Sequence, residues 1–240
     1  MNTNKHRAGW SGRLSKVVSF LTHPVKKIAA SVSLATGLYG ISFGALSVAS
    51  GLSVLQTVAL SLLMFTGGSQ FAFIGVIGTG GAGSTAVGAS TLLGVRNAVY
   101  GMQNNVMLNP FGSQRFLAAH LTIDESTAVS ASQVDPEAKQ MGFWYTGWGV
   151  FICWNLFTLL GAVLGERLGD PQTLGLDGAA VAAFLGLLWS RLRSAESVAL
   201  AVACGLLTAT VIPVLPPGTP ILVTAAFAAL WGILRKRAKF

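Results

Sequence analysis

Charged side chains are almost absent from a long part of this chain. Only one, Arg96, occurs between Ile28 and Gln114, and charged residues make up 10% of the 240 residues. A helix that spans a bilayer needs about 20 apolar residues, and this stretch holds three segments of that length. The absence excludes an ordinary soluble domain and predicts an integral membrane protein.

Acidic residues and cysteines are also scarce. The chain has 8 acids against 16 lysines and arginines, and the bases concentrate near its two ends. In a soluble domain such an excess would suggest nucleic acid. Beside membrane segments it is typical of cytoplasmic ends that lie on anionic lipid, so no nucleic-acid partner is predicted. The two cysteines, Cys153 and Cys204, lie in apolar segments, which argues against a disulfide framework.

The motifs of enzymes and metal sites are missing as well. Histidines 6, 23 and 120 share no spacing that suits a metal. No Gly-x-Ser-x-Gly elbow and no phosphate-binding loop occurs. The sequence therefore predicts neither an enzyme nor a cofactor or metal site.

Apolar residues, in contrast, make up 52% of the chain, and the mean hydropathy is +0.63. They form seven segments, at 28–50, 53–78, 85–108, 142–165, 174–190, 197–215 and 219–234. The predicted fold is an all-α polytopic membrane bundle of about six to eight helices, at least one of them broken or re-entrant. Its parts are a basic cytoplasmic tail over 1–27, which could form an interfacial helix, a transmembrane domain over 28–234, and a basic cytoplasmic tail over 235–240.

Glycine is abundant, with 29 residues, and some glycines are spaced for close helix packing. Gly40 and Gly44 form one pair of small residues four positions apart, and Gly161 and Gly165 form another. Such pairs let two membrane helices approach backbone to backbone. They indicate packing and say nothing about chemistry.

The number of crossings conflicts with the charge distribution. Bases in front of the first segment and behind the last one indicate that both termini are cytoplasmic, yet seven complete crossings would separate the termini. One candidate for a segment that does not cross is 53–78, where Thr66–Gln70 reads Thr-Gly-Gly-Ser-Gln and is expected to be non-helical. The other is 111–133, which could dip into the bundle and return.

Arg96 is the most informative polar residue within the apolar segments. A buried guanidinium costs several kcal/mol in a membrane by most estimates. Arg96 therefore needs either an anionic ligand, such as a substrate carboxylate, or a structural ion pair with Asp124 or Glu125. At the interruption, Ser69 and Gln70 either contact a small polar substrate or bond to neighbouring helices.

The adjacent acids of the segment 120–127 allow two interpretations. Thr122 and Glu125 have the spacing of a helix capping box. Alternatively, Asp124 or Glu125 is a proton-carrying carboxylate. The sequence leaves both open.

Five blocks of residues resemble the AzlC-type branched-chain amino-acid permease family, in that family's order. They are Tyr39–Leu46 with its Ser-Phe-Gly, Phe65–Phe71 with its Ser-Gln-Phe, Leu93–Gly101 with Arg96, Leu121–Ser126, and Gly175-Leu176-Asp177. Two departures occur: Gly94 and Asn97 stand where the family has Asn and His around the arginine, and Ile123 separates Thr122 from Asp124.

The resemblance implies a transporter domain over 28–234 that exports branched-chain amino acids across the bacterial cytoplasmic (inner) membrane. It also implies coupling to an ion gradient and a small hydrophobic AzlD-type partner subunit. The expected site residues are Ser69, Gln70, Arg96, Asn97, Phe65 and Phe71 for the substrate, and Asp124 and Glu125 for the coupling ion or proton. Two other functions stay open: a scaffold or regulatory membrane subunit that transports nothing, and a channel for small solutes.

Overall fold

In the computed structural model, nine helices make up the regular structure of the described residues, which are 23–168, 185, 188–189, 192–216 and 218–237. The helices are α1 (Pro24–Ala49), α2 (Val54–Leu63), α3 (Gly68–Gly78), α4 (Gly83–Leu108), α5 (Gln114–His120), α6 (Asp124–Ala131), α7 (Pro136–Leu168), α8 (Ala195–Val211) and α9 (Thr219–Arg237). These residues contain no strand, which confirms the all-helical prediction. Residues 1–22 of the predicted N-terminal tail and almost all of the segment 174–190 lie outside the described residues, and the last four residues of that tail, 24–27, begin α1.

The chain divides into two compact units. The first unit contains residues up to Leu38 together with Asn97–Trp154, and the second contains Tyr39–Arg96 together with the residues from Asn155 onward. Three long helices, α1, α4 and α7, therefore contribute one part to each unit. Each unit is described by itself below.

In the second unit, α1 and α7 pack backbone to backbone at the glycines that the sequence singles out. A Cβ on Gly161 would collide with the carbonyl of Ile41, and one on Gly165 would lie 3.1 Å from the Cα of Ala45. Since residue numbers rise together along both helices, the two helices run parallel. The predicted small-residue packing is confirmed, because side chains larger than hydrogen would force these backbones apart.

Parallel packing of α1 and α7 restricts what lies between them in the chain. The chain must return between two long parallel helices, and α4 is the long helix that lies between them in the chain. The two short pairs, α2–α3 and α5–α6, are each described within their own unit.

The α2–α3 pair folds back on itself within the second unit. The side chain of Gln70, at the start of α3, reaches the carbonyls at the end of α2. At the far end of α3, a Cβ on Gly78 would lie 2.8 Å from Ser50 Oγ, just before α2 begins. We call residues 54–78 the α2–α3 hairpin. At 1.5 Å per residue the 10 residues of α2 extend about 15 Å, half the hydrocarbon core of a bilayer.

The α5–α6 pair returns in the same way within the first unit. Its turn lies against the middle of α4, where Asn97 donates a hydrogen bond to the carbonyl of Thr122. Beyond the turn, α6 runs back along the beginning of α7, and Ser130 Oγ donates to the carbonyl of Lys139. Both candidate segments of the sequence therefore turn back, each within its own unit.

The last two helices form an antiparallel hairpin in the second unit. Thr208 and Thr224 are hydrogen-bonded at 2.7 Å, and Arg235 pairs with Glu196 at 2.9 Å at the open end. The first turn of α9 packs against α3 and α4. That contact forms an apolar core from residues of the three helices, namely Val76, Ala86, Ala89, Phe73, Ile77, Ile221 and Leu222.

Two of the described helices, Pro24–Ala49 and Pro136–Arg167, are long and apolar enough to cross a membrane. The four shorter apolar helices are α2, α3, α8 and α9. The burial pattern of α2 is the reverse of a soluble helix: its two buried residues are Thr57 and Ser61, while Leu55 and Leu63 are about four-fifths exposed. Such a helix presents its apolar face to lipid and its polar face to the protein, which supports a membrane fold.

Candidate functional site

The break between α2 and α3 is shorter than the sequence predicts. Only residues 64–67 are non-helical, and Gly68, Ser69 and Gln70 form the first turn of α3. The prediction of a non-helical Thr66–Gln70 is wrong at these three residues. The reason is that Gly67, at φ 37° and ψ −81°, is the N-cap of α3 and turns the chain there, so that the helix begins at Gly68. Such backbone angles are open to glycine and costly for other residues.

The N-terminus of α3 faces the middle of α4. A Cβ on Gly68 would lie 3.2 Å from Nη2 of Arg96, and a Cβ on Gly94 would lie 3.5 Å from Ser69 Oγ. The two glycines thus allow the guanidinium and the serine hydroxyl to reach the backbone of the opposite helix. Gly94, which replaces an Asn of the family pattern, is a contact that sequence reasoning missed.

Two positive features coincide at this point. The first N–H groups at a helix N-terminus carry a partial positive charge, and the guanidinium of Arg96 adds a full one. In α3 the N–H of Ser69 donates to the carbonyl of Thr66 at 3.2 Å. The cap residue Gly67 supplies no side-chain acceptor to the helix end. An anionic group that bound here would interact favourably with both features, and a carboxylate has the geometry for bidentate binding by arginine.

Gln70 occupies a different position from Arg96 and Ser69. Its Nε2 donates to the carbonyls of Leu60 and Ser61, at 3.4 and 3.3 Å, near the end of α2. Gln70 therefore joins the two arms of the hairpin. Its side chain is fully buried, and Oε1 has no hydrogen-bond partner among the described residues.

The two predicted aromatic residues are both buried. Phe71 stacks edge-on against Phe43 at 5.5 Å and lies 5.6 Å from Tyr39. Phe65 lies in the break and is 4% exposed. The two residues belong to the apolar packing next to the α3 N-terminus.

Asn97 belongs to the first unit, where an asparagine-threonine network holds the turn between α5 and α6. Asn97 binds the carbonyl of Thr122, and Asn104 Nδ2 donates to the hydroxyls of Thr122 and Thr127 at 3.3 and 2.9 Å. Asn104 is 2% exposed and was missed by sequence reasoning. The sequence signal for Asn104 was its spacing, because a polar residue seven positions after Asn97 lies on the same helix face.

Asp124 and Glu125 are the first two residues of α6, and both are half-buried. The predicted capping box of Thr122 and Glu125 is wrong by one residue. The N-cap is Ile123, whose N–H donates to Ser126 Oγ at 3.1 Å, while Thr122 donates to the carbonyl of Ala118. The extra residue Ile123 shifts the helix start. An ion pair between Arg96 and either acid stays a prediction.

Comparison with protein-family models gives one match, the model described as AzlC protein, over residues 31–168. The match covers 138 of the 240 residues. The chain belongs to the AzlC family. A search of curated proteins finds no match, and a search of solved structures finds none.

Members of the AzlC family are transport proteins, associated with branched-chain amino-acid transport, and not enzymes. The family assignment and the apolar helices together make this a membrane protein. Three of the five AzlC-like blocks meet in the second unit: Phe43 contacts Phe71, and the turn that holds Gly68 and Ser69 contacts Gly94 and Arg96. The block at Thr122 lies in the first unit, and the block at Gly175 lies outside the described residues.

Proposed function

We propose that this protein is the large subunit of a secondary transporter that exports branched-chain amino acids across the bacterial inner membrane. Membership of the AzlC family supports the substrate class. The single structural observation behind the proposal is the guanidinium of Arg96 at the N-terminus of α3, which follows the short helix α2 in a hairpin. Broken helices of this kind commonly form the substrate sites of secondary transporters.

In the proposed site, Arg96 and the first N–H groups of α3 bind the substrate carboxylate. Ser69 adds a hydroxyl beside them, and Phe65 and Phe71 contribute to the surface that receives the aliphatic side chain. Asn97 positions the neighbouring turn of the chain rather than the substrate, because its amide already binds the carbonyl of Thr122. Asp124 and Glu125 are the proposed residues for the coupling ion or proton.

The proposed topology places both termini in the cytoplasm. The C-terminus of α1 and the N-terminus of α9 lie at the same end of the second unit. At that end Gly78 approaches Ser50, and a Cβ on Gly218 would contact Val76 and Thr85. The two pairs that turn back do not cross the membrane. The remaining crossings then agree with the basic residues at both ends, which indicate two cytoplasmic termini. A small AzlD-type membrane subunit is the proposed partner.

Counterflow of labelled leucine in proteoliposomes tests the proposal, with the chain alone and with the small subunit encoded beside it. Saturable exchange in either preparation is the expected result. If neither preparation exchanges leucine, the chain is a scaffold or regulatory subunit. Flux that does not saturate and shows no counterflow would indicate a channel.

A further inference from the structure

A second polar cluster lies inside the α2–α3 hairpin, on the other side of α3 from Arg96. It consists of Thr57, Ser61 and Gln70, and each of the three side chains is fully buried. The oxygen atoms Thr57 Oγ1, Ser61 Oγ and Gln70 Oε1 have no hydrogen-bond partner among the described residues. Buried polar atoms are costly unless something binds them.

Covalent geometry keeps the three side chains in one region of the hairpin. Thr57 and Ser61 are four residues apart on one helix, so their Cβ atoms are about 5–6 Å apart on the same face. Gln70 Nε2 lies 3.3 Å from the carbonyl of Ser61. The amide group that carries Oε1 therefore lies at the Ser61 end of this face.

The electrostatic surroundings favour a positive ligand. Ser61 and Gln70 lie at the C-terminal end of α2, which carries a partial negative charge, and Thr57 lies one turn before Ser61 on the same helix. The carbonyls of Leu60 and Ser61 already accept hydrogen bonds from Gln70 Nε2. All three side-chain ligands are neutral oxygen donors, which suit a hard cation. Without a carboxylate in the set, a divalent ion would lose more hydration energy than these ligands return, so a monovalent ion fits better.

We infer that Thr57, Ser61, Gln70 and the carbonyl end of α2 form a binding site for Na⁺. Ends of broken helices coordinate Na⁺ in other secondary transporters. Hydroxyl and amide groups do not titrate near neutral pH, so this cluster does not carry a proton. If the chain transports amino acids as proposed, Na⁺ is its coupling ion at this site, although Na⁺ binding itself does not depend on that proposal.

The test is thermal unfolding of the purified full-length protein in detergent, in NaCl, KCl or choline chloride at equal ionic strength and without amino acid. At a Na⁺ concentration about a hundredfold above Kd, linkage predicts a Tm roughly 5 °C or more above that in choline chloride. The shift should be the same at pH 6.5 and 8.5. A Tm that is equal in the three salts would overturn the inference.

Substitutions within the cluster test whether it is the source of the Na⁺-dependent shift in Tm. In Thr57→Val with Ser61→Ala the Na⁺-specific shift should vanish, while the Tm in choline chloride stays close to wild type, because removal of unpaired buried hydroxyls is nearly neutral. Ser90→Ala is the matched control: Ser90 is also buried, but its hydroxyl donates to the carbonyl of Val87. The control should keep the full shift. A full shift in the double variant would contradict the assignment.

Two further outcomes separate this inference from the proposed function. Leucine in choline chloride serves as the second probe. A shift with leucine and none with NaCl would overturn the Na⁺ site and leave the proposed substrate site unaffected. A Na⁺ shift in a protein that shows no leucine counterflow would support the cation site and contradict only the transport proposal.

Discussion

At the scale of single residues, position within a helix pair decides which polar side chains are available to a ligand. Ser69 and Gln70 are adjacent in sequence but face different helices: Ser69 lies by Gly94 of α4, and Gln70 binds the end of α2. The sequence predicted that both line the break. It could not predict their separation, because that depends on the direction in which α3 leaves the turn at Gly67.

The first prediction at this scale concerns Arg96. Lysine keeps the charge but loses the planar fork that binds a carboxylate at two points. Arg96→Lys should therefore insert into the membrane normally and lose at least tenfold in leucine counterflow. Membrane fractionation and proteoliposome counterflow measure the two quantities, and transport at the wild-type rate would exclude a bidentate role.

A second prediction separates substrate binding from an ion pair. If Asp124 neutralises Arg96, Arg96→Ala leaves a buried charge, and the double variant Arg96→Ala with Asp124→Asn should recover expression of folded protein. It should not recover export, because the carboxylate ligand is gone. The readouts are the monodisperse yield after size-exclusion chromatography and leucine counterflow. Restored counterflow in the double variant would show that the pair is structural.

At the scale of helices, small residues determine how closely the elements pack. The sequence correctly predicted helices near 28–50, 85–108, 142–165, 197–215 and 219–234 from apolar length alone. It also identified the two segments that turn back. It could not show that both do so, because their return is fixed by long-range contacts such as Gly78 with Ser50 and Ser130 with Lys139.

Gly161→Ala tests the α1–α7 packing. The added Cβ would collide with the backbone of Ile41, which cannot move aside as a flexible side chain can. Overpacking of this kind costs about 1–3 kcal/mol, so the Tm in detergent should fall by roughly 2–10 °C. Gly205→Ala is the matched control. No atom lies within 4 Å of its Cβ position, and alanine favours the helix, so its Tm should stay equal or rise. Equal Tm values for the two variants would contradict the packing.

At the scale of the whole molecule, the family and the membrane class could be predicted from the sequence, because both depend on composition and local blocks. The remaining prediction concerns the location of the two ends of the chain. Cysteines introduced at positions 3 and 239 should react with a membrane-impermeant thiol reagent only from the cytoplasmic side, in a background without Cys153 and Cys204. Labelling of either position from the periplasm would contradict a cytoplasmic location of both termini.

The central claim is that the N-terminus of α3 and Arg96 bind the carboxylate of a branched-chain amino acid. The most direct measurement is competition in leucine counterflow between unlabelled leucine and leucinamide, which keeps the side chain and the amine but lacks the carboxylate. The account predicts that leucine competes fully and that leucinamide competes at least a hundredfold more weakly. Equal competition by the two compounds would contradict it.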